Sequence, residues 1–262
     1  MNEPNPEAEF KALNTQGVRD LSHATEMHRL TKEWLNEAVS LRYTYLFTAL
    51  GRPVIQFPQD VIEIQELVWQ IRPDLIIETG IAHGGSLVNN ASMLALLDLC
   101  DAIESGDNID PRVSRRRTLG IDIDIRPHNR AAIEAHPMSS RITMIEGSST
   151  DQEVIAQVSQ ISANHEKVMV LLDSNHTHDH VLQELRAYAP LTSVGSYCIV
   201  YDTVIEDMPR GSFPDRPWDV GNNPKTAVWE YLKEHPEFTI DRLITDKLQI
   251  TVAPDGYLKR NS

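Results

Sequence analysis

Short, uninterrupted apolar runs alternate along this chain with stretches in which apolar residues recur at helical spacing. An apolar run without polar interruption is typical of a strand that is buried on both faces. Regular alternation of such strands with helices predicts an α/β fold, a Rossmann-like, doubly wound sheet. Four of the runs end in an acidic residue: Glu78, Asp122, Asp173 and Asp202. Ligands bind beyond the carboxyl ends of strands in such sheets, so these acids predict the edge that carries a site.

The pattern divides the chain into three parts. Residues 1–16 are polar and predict a flexible tail, residues 17–72 predict an N-terminal helical extension, and residues 73–262 predict the Rossmann-like domain. The domain is expected to hold a mostly parallel seven-stranded sheet, with strands at residues 75–77, 118–122, 142–145, 168–172 and 197–201 and a terminal antiparallel hairpin of residues 238–240 and 248–252. In the extension, Trp34, Tyr43 and Tyr45 are expected in the core or at a subunit interface, with a substrate wall as the alternative.

The first strand leads into a glycine-rich turn that runs from Glu78 to Ser86 with the spacing E-x-G-x-x-x-G-G-S. Glycine lets the backbone turn sharply and approach a ligand closely, and a helix that starts at Ser86 offers free N–H groups in its first turn. This spacing differs from the G-x-G-x-x-G of dinucleotide sites and is typical of an S-adenosylmethionine site, in which Glu78 would receive the ammonium group. A plain strand–helix turn with convenient glycines is the alternative.

Polar residues after the next two strands extend this cofactor site. Asp122 is expected to accept hydrogen bonds from the ribose hydroxyls, with Asp124 as the competing candidate. Ser148 and Ser149 fall where the chain would pass the adenine edge, although Ser149, Thr150 and Asp151 also fit caps for the helix that follows. The predicted cofactor-binding residues are Glu78, Gly80, Ala82, His83, Gly84, Ser86, Asp122, Ser148, Ser149 and Asp173.

A second group of polar residues predicts the chemical centre. If their strands are neighbours, Asp173 and Asp202 converge, and two such carboxylates suit a hard cation such as Mg²⁺. His176, three residues after Asp173, is expected to take the proton of a substrate hydroxyl. The predicted catalytic residues are therefore Asp173, His176 and Asp202. A zinc site of His176, His178 and His180 is the alternative, but a spacing of two residues would splay these side chains.

Two polar segments are too long for simple connections. Residues 101–117 carry several arginines and predict a solvated loop, with a cover over a ligand as the alternative. Residues 203–223 directly follow the predicted chemical centre and carry Trp218. We expect this second segment to form a substrate lid in which Trp218 offers its face to a sugar or another ring.

Composition limits the partners of the protein. The formal net charge is −14 at pH 7, which argues against a nucleic-acid partner or an anionic membrane, because both need a basic field. No apolar run of the sequence reaches membrane-spanning length, the first residues are polar, and the two cysteines, Cys100 and Cys198, have mostly apolar neighbours. These features predict a cytoplasmic protein without a transmembrane segment.

Several separated motifs resemble the cephalosporin hydroxylase-like family, over a stretch that reaches from Tyr43 to Arg260. They comprise Gly51-Arg52-Pro53, residues 76–87, 120–124, 147–151 and 172–176, and the closing residues 256–260. The resemblance implies a class I methyltransferase fold and S-adenosylmethionine-dependent O-methylation, as in antibiotic-tailoring and rhamnosyl enzymes. It also implies a magnesium site of Asp173 with an acidic pair after the fifth strand. Tyr201 departs from that pair, so water, substrate, Glu206 or Asp207 would have to supply the lost ligand.

The resemblance implies a small hydroxylated acceptor, preferably a glycosyl hydroxyl, and the N-terminal helices suggest a homo-oligomer. Two further function classes remain open. One is an oxidoreductase on a nucleotide-binding fold, as the family label suggests, although no second histidine is placed to complete an iron triad. The other is a non-catalytic nucleotide-binding protein that retains the fold.

Overall fold

The computed structural model describes residues 5–262, and residues 1–4 of the predicted tail lie outside this range. The helices are α1 (Pro6–Ser22), α2 (Thr25–Ser40), α3 (Pro58–Ile71), α4 (Gly85–Ser105), α5 (Pro127–Glu134), α6 (Gln152–Ser162), α7 (His178–Tyr188), α8 (Pro224–Tyr231) and α9 (Arg242–Leu248). The strands are β1 (Phe47–Ala49), β2 (Arg52–Val54), β3 (Leu75–Thr79), β4 (Arg117–Asp122), β5 (Ile142–Glu146), β6 (Val168–Leu172), β7 (Tyr197–Val200), β8 (Phe238–Ile240) and β9 (Tyr257–Arg260).

Seven of the strands form one sheet in the order β5-β4-β3-β6-β7-β9-β8. The first five strands of this order are parallel, and β9 runs antiparallel to both β7 and β8. From β3 the chain moves outward through β4 and β5, and it then returns to place β6 on the other side of β3. This reversal is the switch point at which doubly wound sheets bind ligands, so the predicted fold class is confirmed.

Successive side chains of a strand point to opposite faces of the sheet, so the core consists of one hydrophobic cluster on each face. Leu75 and Ile77 pack with α6, α7 and α8, whereas Ile76 packs with α3, α4 and α9. Because both faces of β3 and β6 are covered, every residue of these strands is buried. This is the reason why continuous apolar runs predicted them well.

The predicted terminal hairpin is wrong in its second strand. Residues 249–252 form no strand, and β8 pairs instead with β9. The alternation of this segment imitates a strand, but the Val252 N–H donates to the carboxylate of Asp60 in α3 at 3.0 Å, and Thr251 donates to the same carboxylate. Gln249 also has a positive φ of 60°, which turns the chain out of an extended conformation.

The N-terminal part is more regular than predicted. The flexible tail expected for residues 1–16 is helical from Pro6 onward, and the Asn5 side chain caps α1 by accepting from the Glu7 N–H at 3.1 Å. The β1–β2 hairpin was not predicted, because it lies within residues 17–72, which were expected to form a helical extension. Leu50 and Gly51 both have positive φ, as a tight hairpin turn of two residues requires.

Within the described residues, one helix, the 21-residue α4, is apolar and long enough to cross a membrane by length and composition alone. The expectation that no apolar run reaches this length is corrected accordingly. One side of α4 is buried, including Leu87, Val88, Ala91 and Leu94. The helix packs against β4 and α3, as a core helix of an α/β domain does.

The insertion at residues 101–117 does not cover the predicted site. Its first part continues α4 to Ser105, and its end lies beside the amino end of β3, where the Arg117 N–H donates to the Asp74 carbonyl at 3.0 Å. Arg116 and the buried Arg141 both pair with Asp98 and hold the loop there. The solvated-loop interpretation is therefore the better one, because the predicted site lies at the opposite, carboxyl edge.

A buried acid joins the N-terminal extension to the end of the chain. Asp60 of α3 is fully buried and accepts from Thr251, from the Val252 N–H and from the Tyr257 hydroxyl at 2.9 Å. Burial raises the pKa of Asp60 to about 6, while the three donors act in the opposite direction. The acid thus holds α3, the segment after α9 and β9 together.

Replacing Asp60 with Ala is expected to lower the free energy of unfolding by about 2 to 3 kcal/mol, because three buried donors lose their acceptor. Urea denaturation of the variant measures this change. Tyr257→Phe, which removes only one donor, is the comparison and should cost about 1 kcal/mol. Equal losses for the two variants would show that Asp60 does not hold the three segments together.

Candidate active site

Two small cavities lie side by side at the carboxyl edge of the sheet, where β3 and β6 are neighbours. One, of about 200 Å³, is lined by Tyr45, Pro53–Gln56, Gly80–His83, Gly85, Ser86, Asp173, Ser174 and His176. The other, of about 140 Å³, is lined by Gly80, Ile121–Ile123, Ser148, Ser149, Ser174, Asn175 and His180. We call them the Tyr45 cavity and the Asp122 cavity; Gly80 and Ser174 border both. A larger cavity of about 1140 Å³ lies at the amino edge and holds none of the predicted site residues.

The glycine turn is shaped by close contacts on three sides. Gly80 has φ +87°, and a Cβ there would collide with the carbonyl oxygen of Asp173 after β6. Gly84 has φ +79°, and a Cβ there would meet Ile133 of α5, while one at Gly85 would meet the backbone of Pro53 in β2. The turn is therefore a close-packed junction of β3, β6, α5 and the hairpin, which explains why the sequence uses glycine at these positions.

Two residues that the sequence analysis did not assign to the site hold this turn from outside. The Arg52 guanidinium donates to the carbonyl oxygen of His83 at 2.9 Å from Nε, and also to the Asn129 side chain. Asn129 in turn donates to the carbonyl oxygen of Ala82 at 3.0 Å. These contacts help to keep Ala82 at a positive φ of 46°. The motif Gly51-Arg52-Pro53 could have indicated Arg52 as a site residue. Nothing in the sequence around Asn129 indicates a role in the site.

Asp122 anchors the same turn from β4. One of its carboxylate oxygens accepts from the N–H groups of Ile81 at 2.8 Å and Ala82 at 3.1 Å, and the other accepts from the N–H of Asp124 at 3.1 Å. A carboxylate can accept about four hydrogen bonds, so one position remains for a ligand in the cavity that Asp122 lines. Asp124 is exposed and its side chain does not border that cavity, which favours Asp122 over Asp124 for the ribose.

Glu78 lies behind the wall of the Tyr45 cavity. Its buried carboxylate accepts from the Ser86 hydroxyl and from Asn90 Nδ2 at 3.1 Å. Burial raises the pKa of Glu78 to about 7, although both donors act in the opposite direction. Ser86 itself borders the cavity. The structure thus places Glu78 as the support of Ser86, so its predicted contact with an ammonium group stays a prediction.

The far end of the Asp122 cavity is formed by residues after β5 and β6. Ser149 is buried and its hydroxyl lies 3.0 Å from His180 Nε2, whereas the Ser148 hydroxyl lies 3.0 Å from that of Thr150. Of the three cap candidates, Asp151 is the N-cap of α6, because its side chain accepts from the Glu153 N–H, whereas Ser149 is not the cap. Ile123, which sequence reasoning missed, is 73% exposed at the rim of the cavity, where an apolar side chain would gain by covering a ring.

Asp173, His176 and Asp202 form one cluster at the ends of β6 and β7. Their ligand atoms all lie within 4.8 Å of one another, and His176 Nε2 is 3.1 Å from Asp202 Oδ2. Burial and the neighbouring Asp202 raise the pKa of Asp173 well above its usual value. The predicted convergence of the two strand ends is what the sheet produces, because β6 and β7 are adjacent and parallel. Two carboxylates beside an imidazole are a donor set that fits a divalent cation.

Neither Tyr201, which departs from the acidic pair, nor its suggested replacements Glu206 and Asp207 join this cluster. Tyr201 is buried in the core on the α3 and α4 side of the sheet. Glu206 accepts from the Gly221 N–H at 2.7 Å and from Asn223, and Asp207 accepts from the buried Lys225 at 2.5 Å. His176 is therefore the third potential ligand within the described residues, in addition to its role beside Asp202.

The three histidines after β6 point in different directions, which contradicts the zinc alternative. His176 faces Asp202, His178 Nδ1 lies 2.8 Å from the Thr226 hydroxyl of α8, and His180 faces Ser149 and Ser174. A tetrahedral zinc site needs side chains that converge on one point. His178 instead ties α7 to α8.

The predicted lid, residues 203–223, begins with a short 3-10 helix at Thr203–Asp207 and continues without helix or strand to α8. It is held by its own polar side chains: Asp219 accepts from the Gly211 N–H at 3.1 Å, and Glu206 binds the Gly221 N–H. Trp218 lies edge-on to His176, with 4.7 Å between the ring centroids. The segment therefore lies beside the cluster.

The aromatic residues of the extension divide between two roles. Trp34 and Tyr43 pack with Phe57 at centroid distances of 5.7 Å and 6.2 Å, but Trp34 remains 37% exposed, so this pair lies at the edge of the core. Tyr45, in contrast, borders the Tyr45 cavity beside the glycine turn. Its position favours the wall of a site over the core for this residue.

Comparison with known proteins identifies the relatives of this chain. The family model for rhamnosyl O-methyltransferase/CmcI matches residues 41–261. The rhamnosyl O-methyltransferase of Mycobacterium tuberculosis is 28% identical over 208 residues, which cover 77% of this chain and 73% of that protein. The rhamnosyl O-methyltransferase of Mycobacterium leprae is 26% identical over 218 residues, which cover 81% and 82%.

Solved structures show the same fold. The apo structure of CmcI aligns with a TM-score of 0.52 at 18% identity and covers 83% of this chain and 77% of CmcI. The structure of CmcI with magnesium and S-adenosylmethionine aligns with a TM-score of 0.51 at 18% identity, with 83% and 78% covered. The family predicted from the separated sequence motifs is confirmed by a match that spans them. The chain belongs to the rhamnosyl O-methyltransferase/CmcI family.

Proposed function

We propose that this protein transfers the methyl group of S-adenosylmethionine to a hydroxyl of a small acceptor, a sugar or another natural product. The observation that carries the proposal is the cluster of Asp173, His176 and Asp202 beside two cavities at the switch point of the sheet. Membership of an O-methyltransferase family supports it. A glycosyl hydroxyl is the preferred acceptor, because the mycobacterial relatives are rhamnosyl O-methyltransferases.

The two cavities suit the two halves of the methyl donor. The Asp122 cavity offers a carboxylate for the ribose, and Ile123 offers an apolar surface for the base. The Tyr45 cavity runs along the glycine turn to Ser86 at the start of α4, where free backbone N–H groups suit a carboxylate. Gly80 borders both cavities, and a side chain there would collide with the backbone of Asp173, which also borders the Tyr45 cavity.

The chemistry needs a base beside the acceptor hydroxyl. Bound S-adenosylmethionine supplies the methyl group on a sulfonium sulfur. As the C–O bond forms and the C–S bond breaks, the hydroxyl proton has to leave, and His176 is positioned to take it. Asp202, 3.1 Å from His176 Nε2, orients the imidazole and stabilises the imidazolium. The other ring nitrogen, Nδ1, then receives the proton.

Asp173 and Asp202 are the residues that would hold Mg²⁺, with His176 next to them. Such a cation lowers the pKa of a bound hydroxyl and fixes its oxygen. Asp173 fits this role because burial and the neighbouring Asp202 raise its pKa, and a positive charge relieves both effects.

The two competing functions have less support. An oxidoreductase of the dinucleotide type would need the G-x-G-x-x-G turn, and an iron triad would need a second converging histidine, whereas His178 and His180 face elsewhere. The non-catalytic alternative has less support because the chain belongs to an O-methyltransferase family and keeps Asp173, His176 and Asp202 together beside a cavity.

Calorimetric titration of the purified protein with S-adenosylhomocysteine, NAD and 2-oxoglutarate tests the cofactor. We expect S-adenosylhomocysteine alone to bind, because the Asp122 and Tyr45 cavities suit its two halves. Asp122→Ala should weaken that binding about tenfold or more, since both a ribose acceptor and the anchor of the turn are lost. Asp124→Ala, the matched control on the exposed neighbour, should change the affinity less than about twofold. Binding of NAD in place of S-adenosylhomocysteine would overturn the proposal.

His176→Ala is expected to lower the rate of methyl transfer to a rhamnoside acceptor by about 10²- to 10⁴-fold, because the variant lacks the base. Its affinity for S-adenosylhomocysteine should fall by less than about tenfold, since His176 is one of several residues that border the Tyr45 cavity. Transfer of a radiolabelled methyl group measures the rate. His178→Gln is the matched control, since this neighbour contacts α8 and not the cluster. A His176→Ala protein that is as active as wild type would exclude His176 as the base.

Trp218→Ala is expected to raise KM for the acceptor several-fold with a smaller effect on kcat, because an aromatic face for the acceptor is lost. Steady-state kinetics with varied acceptor separate the two constants. Trp229→Ala, a change of an exposed tryptophan on α8, serves as the control. Unchanged acceptor kinetics in Trp218→Ala would remove Trp218 from the acceptor site and refute its role in a lid.

A further inference from the structure

His180 links the two loops that close the far end of the Asp122 cavity. Its Nε2 lies 3.0 Å from the Ser149 hydroxyl, after β5, and 3.2 Å from the Ser174 hydroxyl, after β6. Ser174 is also bound from behind, because it donates to Glu184 Oε1 at 2.6 Å, and Glu184 is fully buried in α7. Ser149, Ser174 and His180 all border the cavity, whereas Glu184 supports them from the core.

The positions of the protons in this network follow from its donors and acceptors. A serine hydroxyl has one proton, and Ser174 gives it to the Glu184 carboxylate. Ser174 can then only accept from His180, so His180 Nε2 carries a proton. A protonated Nε2 cannot accept a hydrogen bond from the Ser149 hydroxyl. The Ser149 oxygen is therefore an acceptor too, and the single Nε2–H is shared between the two serines. The Ser149 hydroxyl proton therefore has no acceptor within residues 5–262 and is free for the cavity.

Asn175 adds donors at the same end. Its Oδ1 accepts from the Thr177 N–H at 2.9 Å and from the Thr177 hydroxyl at 2.8 Å. This assigns the amide oxygen to Thr177, and Asn175, whose amide N–H groups have no acceptor within residues 5–262, borders the cavity. One end of the cavity thus offers donors, while Asp122 at the other end offers an acceptor.

We propose that His180, held by Glu184 through Ser174, is a positioning residue that directs the Ser149 hydroxyl proton at a ring nitrogen of the bound base. The inference rests on the proposed function and deepens it. Adenine presents unprotonated ring nitrogens on its edges, which accept hydrogen bonds from such donors. Ser149 thereby donates a hydrogen bond to one adenine ring nitrogen. His180 makes this possible because its Nε2–H donates to the Ser149 oxygen, which leaves the Ser149 proton for the base.

The test uses four ligands, S-adenosylhomocysteine and its 1-deaza, 3-deaza and 7-deaza analogues, each of which replaces one ring nitrogen by C–H. Calorimetry measures their affinities for the full-length wild-type protein and for Ser149→Ala. With wild type, one analogue should bind about tenfold more weakly than the parent, because one hydrogen bond is lost and its donor is left unpaired. With Ser149→Ala that same analogue and the parent should bind equally, within about twofold.

Variants of the supporting residues separate positioning from general damage. His180→Ala should abolish the difference between the parent and the sensitive analogue, and His180→Gln, whose amide N–H can still donate to the serines, should restore part of it. Ser148→Ala is the matched control, because this neighbouring serine borders the same cavity but bonds to Thr150. It should change all four affinities by the same factor and leave their ratios as in wild type.

The outcomes are distinguishable. If wild type binds S-adenosylhomocysteine but all three analogues bind as well as the parent, the readout by Ser149 is refuted while the proposed function stands. The same holds if the sensitive analogue stays about tenfold weaker in Ser149→Ala, or if His180→Ala leaves the ratio unchanged. If wild type does not bind S-adenosylhomocysteine at all, the proposed function fails, and this inference fails with it.

Discussion

The close approach of two strand ends, at Gly80 after β3 and Asp173 after β6, is the constraint on which the site depends. The backbone of Asp173 lies where a side chain at position 80 would be, and the Asp173 N–H donates to the Thr79 carbonyl at 2.9 Å. This contact continues the parallel pairing of the two strands beyond their last residues. It places Gly80 and Ser174, which border both the Tyr45 cavity and the Asp122 cavity, beside Asp173 of the cluster with His176 and Asp202.

The other contacts of the site keep this junction in place. Asp122 holds the turn from β4, Arg52 holds it from the hairpin, and Asn129 holds it from α5. Each of the three binds the main chain of the turn and not its side chains. A turn that is fixed through its backbone retains its shape when the ligand leaves, which lowers the cost of ordering on binding. The hairpin that the sequence analysis missed therefore has a clear purpose, because it carries both Arg52 and the wall of the Tyr45 cavity.

The parts of the structure that could be predicted from sequence are those whose causes are local. Val168 to Leu172 reads as a buried strand because every residue of it is apolar, and the acid that follows it marks the carboxyl edge. Residues 248–252 alternate between apolar and polar side chains, as a half-buried strand does, yet they form no strand because Thr251 and Val252 bind Asp60, far away in the sequence. The same limit applies within the site. Sequence placed Glu78 and Asp122 at strand ends, but their partners, such as Ser86, Ile81 and Ala82, depend on how the turn folds back.

The buried carboxylates on and near the site bear on the charge of the ligand that we propose for it. Burial raises the pKa of Glu78 to about 7 and of Asp60 to about 6, and Asp173 is raised further by its neighbour Asp202. Raised pKa values mean that these carboxylates oppose folding when they ionise, because each leaves water and Asp173 is also repelled by Asp202. The proposed ligands bring positive charge to this edge of the sheet, as a sulfonium, an ammonium group and a divalent cation. If such a ligand binds beside Asp173, its positive charge offsets the repulsion between Asp173 and Asp202 and stabilises the folded protein by mass action.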